Sequence, residues 1–146
     1  MIKLFREKVE IKDKKLGVLS ARVKYKDPNK NYTWSSNIEF ENNDLSILII
    51  GNYLGPHKNQ KEGIISLLES WNSIKLALDK YVRKLAVNQS LENEYKNWKN
   101  EFYLEAIYPE NETDNSFELI IESKNNSDHY ISFTYRNNKI EEVELK

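Results

Sequence analysis

The chain has no cysteine, only two histidines, no long apolar run and almost no surplus of charge, and each shortage closes off a line of chemistry. Without cysteine there are no disulfides, thiolate zinc sites, iron–sulfur clusters or cysteine nucleophiles. The longest apolar stretch, Ile47-Leu48-Ile49-Ile50, falls far below the roughly 20 residues that span a bilayer. The opening Met1-Ile2-Lys3-Leu4-Phe5-Arg6-Glu7-Lys8 has no unbroken apolar region of the secretory kind, so a cytoplasmic setting is expected. Lys and Arg number 22 against 23 Asp and Glu, a net charge of −1. That balance supplies no general attraction to nucleic acid or to a membrane surface.

What is present suffices for one packed core. Hydrophobic residues make up 39% of the chain and aromatics 12%, and a chain of this length buries about 68–70% of the surface its unfolded form exposes. A single domain over residues 1–146 is expected, with apolar runs of two periods. Leu19, Ala21, Val23 and Tyr25 share one face of a strand over 16–25, and Asp27-Pro28-Asn29-Lys30-Asn31 supplies the turn. A second strand over 32–40 has Trp34, Ile38 and Phe40 in phase. Asn42-Asn43-Asp44 turns it into a third, 45–50, whose continuous apolar character suits a central position.

The period then lengthens. Ile64, Leu67, Leu68, Trp71, Ile74, Leu78, Tyr81, Val82 and Leu85 recur at three- and four-residue steps, which predicts one long amphipathic helix. Ser90 is placed to cap a shorter helix with Leu91, Tyr95, Trp98 and Phe102 as its stripe. Period two returns in strands over 103–108, 117–122, 130–136 and 140–145, with Asn137-Asn138 as a two-residue turn of the type I′ kind. The expected fold is α+β: a mostly antiparallel sheet of about seven strands against one long and one shorter helix, inserted between an N-terminal three-stranded meander and a C-terminal meander.

Signals of catalysis are sparse. Gly51-Asn52-Tyr53-Leu54-Gly55-Pro56-His57-Lys58 joins a strand to a helix, where phosphate loops occur, yet it lacks the Gly-Lys-Ser/Thr ending and the dinucleotide glycine spacing. Tyr53, His57, Lys58 and Lys61 form a candidate anion or pocket site there, beside the plainer reading of an ordinary connection. His57 and His129 do not have the spacing that sets two imidazoles on one metal. No strained Gly-x-Ser-x-Gly elbow occurs. Glu39/Glu41 and Glu142/Glu144 each share a strand face, an arrangement that more often marks solvated surface than a catalytic carboxylate pair. Trp34, Trp71 and Trp98 fall in apolar stripes, so core packing accounts for them better than base stacking. No catalytic residue, metal or cofactor is assigned.

Beside these readings stands a resemblance. Lys15-Leu16-Gly17-Val18-Leu19, the tryptophan of the next strand, an apolar strand, a long helix, Glu94-Tyr95-Lys96-Asn97-Trp98 and the closing Asp128-His129-Tyr130-Ile131-Ser132-Phe133 together resemble small bacterial domains of unknown function grouped with immunity proteins of polymorphic toxin systems. The resemblance covers nearly the whole chain, carries no catalytic residue, and implies a monomer or homodimer that binds a cognate toxin domain tightly. Since many such toxins are basic nucleases, an acidic, aromatic-bearing face suits the partner. Glu118, Glu122, Tyr130, Glu142 and Glu144, on the sheet side away from the helices, are its candidate residues. The alternatives are a small enzyme with a motif-free pocket near His57, and a structural or phage-encoded interaction protein.

Overall fold

The two periods build two layers. The computed structural model describes residues 6–112 and 114–146. Among these, nine strands and four helical segments occur. The first strands are β1 (Glu7–Asp13), β2 (Gly17–Val23), β3 (Tyr32–Phe40), β4 (Asn43–Asn52) and the two-residue β5 (Gly55–Pro56). The helical segments α1 (Lys58–Glu69), α2 (Trp71–Asn88), α3 (Glu92–Tyr95) and α4 (Trp98–Glu101) follow, and β6 (Phe102–Pro109), β7 (Ser116–Ser123), β8 (Tyr130–Arg136) and β9 (Lys139–Leu145) close the chain. The strands form one sheet in the order β1-β2-β3-β4-β6-β7-β8-β9, with β5 paired to β4. All pairings are antiparallel except β4 with β6, which run parallel at the centre. A parallel neighbour requires a long crossover, and the helical segments supply it.

The α+β architecture is the expected one, with the helices between two meanders. The N-terminal meander has a fourth strand, β1, that the expectation lacks, because Val9 and Ile11 are its only apolar residues among alternating charges. Asp13 Oδ1 accepts the N–H groups of Lys15 and Leu16, and Gly17 turns with φ 72°, which closes β1 onto β2. Other expectations are corrected as well. β2 ends at Val23, so Tyr25 is 51% exposed and does not face inward. The β3–β4 reversal is made by Glu41 and Asn42, both at positive φ, and β4 already starts at Asn43.

The expected single long helix breaks at Ser70, which joins α1 to α2. Leu67 and Trp71 keep their four-residue step across the break, so periodicity carries no trace of it. On α2, Tyr81 is 49% exposed and Ala86 is buried in the stripe. Ser90 caps nothing: at φ 58° it ends α2, with Ser90 N–H bonded to the Val87 carbonyl and Leu91 N–H to the Ala86 carbonyl, the pairing of a Schellman motif. The shorter helix is two single turns, α3 and α4, and Phe102 opens β6. The Asn137-Asn138 turn is as expected, with φ 53° and 60° between Arg136 and its partner Lys139.

The core lies on one side of the sheet. Leu19, Trp34, Ile47, Leu104, Leu119 and Phe133 point to the helices and pack with Ile64, Leu67, Trp71, Ile74, Leu78 and Val82 in one buried cluster. Trp34, Trp71 and Trp98 are 0%, 3% and 2% exposed, as their stripes predict. β4 is central, with Leu45, Ile47 and Ile49 fully buried. Among the described residues, no helix covers the sheet's other face. Among the described residues, no helix is long and apolar enough to cross a membrane.

Candidate functional site

Strand alternation sends every second side chain to the open face, and the registers place these residues in rows. Glu39 and Asp44 are paired across β3 and β4, and Tyr103, Glu122 and Tyr130 form a row across β6, β7 and β8. Asp44 lies close enough to Tyr103 to act on its phenol. The next row holds Ser46, Ala106, Ile120, Ser132 and Glu144. A third holds Tyr108, Glu118, Thr134 and Glu141. Of the sequence candidates, Glu122 and Tyr130 are thus direct cross-strand neighbours, while Glu118 and Glu144 share their face in other rows.

Glu142 reaches this face by a different route. β9 carries a bulge opposite Phe133, where Glu142 adopts φ 53° and accepts a hydrogen bond from Thr134 Oγ1 at 3.3 Å. The extra residue lets Ile140 and Val143 pack against the core while Glu141, Glu142 and Glu144 remain outward. β9 is an edge strand, and its charges and bulge also hinder pairing with another chain.

The corner around Tyr103 gathers several carboxylates. Glu39, Asp44, Tyr103, Glu105 and Lys124 line a shallow cavity of about 540 Å³. Glu105 sits at a second bulge, between Leu104 and Ala106. Partial burial, and then the neighbouring Glu122 carboxylate, raise the Glu105 carboxyl above its ordinary range. The Tyr103 phenol is raised by burial and then by Glu122, Glu105 and Asp44. Negative charge is concentrated there without a salt bridge to Glu39, Asp44, Glu105 or Glu122 among the described residues.

The second set of candidates is drawn apart by its partners. The Gly51–Pro56 segment is a tight reversal of β4 into β5: a Cβ on Gly51 would lie 2.1 Å from the Gly55 carbonyl oxygen. Backbone proximity therefore accounts for that glycine. Tyr53 is half-buried against the core. His57 precedes α1 with its Nε2 3.1 Å from Asn31 Oδ1, and Asn31 Nδ2 donates to Glu112. Lys58 lies 3.9 Å from Glu62, and Lys61 pairs with Asp13 at 2.5 Å. Burial raises the Asp13 carboxyl, but hydrogen bonds from Lys61 and from the Leu16 and Lys15 amides outweigh it and hold the group below its ordinary value. These lysines serve ion pairs, and the four residues face different partners.

Sequence reasoning missed Tyr103, Glu105 and Asp44, because the parallel β4–β6 contact joins segments separated by the helical insertion. It also missed Gln60, a fully buried side chain of α1. Gln60 Oε1 accepts Ile50 N–H at 2.9 Å, and Nε2 donates to the carbonyls of Asn111 and Asp114. A glutamine at an inward helical position was its one sequence signal. No family model, curated protein or solved structure matches the chain.

Proposed function

We propose that this protein is a binding protein of the immunity kind, which neutralises a cognate toxin domain by docking the acidic, tyrosine-bearing corner of its open sheet face onto a cationic surface. The observation that carries this reading is the cluster of Glu105, Glu122 and Asp44 around the half-buried Tyr103, with none of the three carboxylates in an ion pair among the described residues. A cationic partner relieves that repulsion on docking, charge speeds the encounter, and Tyr103 and Tyr130 offer rigid aromatic anchors for the centre of an interface. Of the sequence candidates, Glu122 and Tyr130 sit at this centre and Glu118, Glu142 and Glu144 toward its rim.

The test is calorimetric titration of the protein with the product of the neighbouring gene, for the native chain and for a Glu105→Lys/Glu122→Lys variant. One-to-one binding that the variant weakens by a hundredfold or more, about 3 kcal/mol, together with loss of the partner's toxicity, is expected. Absence of binding, or binding indifferent to the reversal, overturns the reading.

A further inference from the structure

The opposite corner of the open face has the opposite charge. Ten of the 22 Lys and Arg residues lie in the first 31 positions, against four of the 23 Asp and Glu. On β1 and β2, Lys8 and Arg22 are direct cross-strand partners on the open face. Like charges set opposite one another destabilise a sheet. Lys8 is partly offset by Glu10, 3.1 Å away. Among the described residues no ion pair involves Arg6, Arg22 or Lys30.

The sheet is also opened there. β2 and β3 are bridged at a single pair, Ser20 opposite Ser35, whereas β3 and β4 pair along nine residues. Beyond that bridge the Tyr32 hydroxyl takes the place of a ladder. It accepts the N–H groups of Lys24 and Tyr25 and donates to the Tyr25 carbonyl, so the separation is held by side-chain bonds and is not a frayed end. The resulting groove, about 510 Å³, is lined by Arg6, Lys8, Arg22 and Lys30 together with Ser20, Thr33 and Ser35. Lys30 is positioned by the rings of Tyr25 and Tyr32, its ammonium 4.6 and 5.9 Å from their centroids.

We infer that this groove binds a small molecule carrying two or more linked phosphoryl groups. Two guanidinium groups present forked donors that match phosphate oxygens, and the ammonium groups add point charge. The cavity has the size of a small-ligand site and not of a track for a long polymer. A polyanion placed there relieves the repulsion between Lys8 and Arg22. The site lies on β1–β3, away from the acidic corner, and is independent of the proposed partner.

The test is calorimetric titration of the intact chain with inorganic tripolyphosphate, and separately with ATP, at physiological salt. One-to-one binding is expected, weakened at least about tenfold by Arg22→Gln/Lys30→Gln, since each loses a charge-assisted hydrogen bond. Both side chains are exposed, and circular dichroism checks that the variant is folded. Lys84→Gln, which removes an exposed α2 cation, leaves binding unchanged. Tighter binding of ATP than of tripolyphosphate assigns a nucleotide, and equal binding assigns the phosphate chain alone. No binding of either probe, an equal loss in Lys84→Gln, or binding of a polyglutamate peptide or an oligonucleotide in their place, overturns the inference.

Discussion

On the helix-covered side of this sheet, polar groups drawn inward are met by partners, whereas the open face gathers like charges at two of its corners. Trp34 and Trp98 send their indole N–H groups to the Asn52 carbonyl and to Asp79, each at 2.9 Å. Burial raises the Asp79 carboxyl, but hydrogen bonds from Arg83 and Trp98 and the charges of Arg83 and Lys99 lower it further than burial lifts it. Among the described residues no buried side-chain nitrogen or oxygen lacks a hydrogen-bond partner. Glu105, on the other face, has Glu122 for its charged neighbour and is raised. The contrast separates the part of the molecule that holds the fold from the face proposed to bind.

If that separation is right, the largest stability losses come from the covered side. Trp34→Ala empties a fully buried site and removes the indole donor from the Asn52 carbonyl, with an expected loss of about 3–5 kcal/mol in urea unfolding. A loss under about 1 kcal/mol would mean that the core is not organised around β3 as described. Gln60→Leu keeps approximate volume but strips the buried Ile50 amide of its Oε1 acceptor and removes the Nε2 donor that the Asn111 and Asp114 carbonyls share. Leaving the buried Ile50 amide unpaired carries an expected cost of about 1–3 kcal/mol, and that amide loses its protection from hydrogen exchange in the variant.

The smallest effect lies on the open face and has the opposite sign. Because Glu105 has a folded pKa above its unfolded value, the folded state binds the extra proton between those two values, so this group lowers stability as pH rises through them. Glu105→Gln therefore gains stability at neutral pH, within about 0.5 kcal/mol for a surface change, and the gain vanishes near pH 4. Asp79 behaves in the reverse way. Its stabilisation is complete above its unfolded pKa and is lost as pH falls through its lowered folded one, so Asp79→Asn reduces the loss of stability on acidification. Denaturant unfolding of both variants between pH 3 and 7 checks the pair. Parallel pH profiles for the two would erase the distinction between the faces.

Much of the layered arrangement was legible in local patterns. Alternating Leu119 and Ile121, the stepped Ile64, Ile74 and Leu78, and the Asn137-Asn138 turn each report a local periodicity or backbone preference, and each stands in the fold as expected. The break at Ser70 and the left-handed Ser90 were not legible, because one residue can change helix direction or end a helix without disturbing the apolar spacing around it. β1 escaped because charge alternation on an edge strand hides a strand that has only two apolar residues.

The candidate sites divide along the same line. That Glu118, Glu122 and Tyr130 face away from the helices follows from strand alternation within single segments. That Glu105 and Asp44 join them, and that Arg22 and Lys8 meet Lys30 across an opened seam, depends on contacts between distant segments. By itself the sequence determined the α+β class, the inward tryptophans and the polar character of one sheet face, since these rest on periodicity and burial of apolar area. Only the tertiary structure decided where charge accumulates, because the field at a point is the sum over groups that pairing brings together, and the parallel β4–β6 contact and the two bulges that set those neighbours leave no local mark.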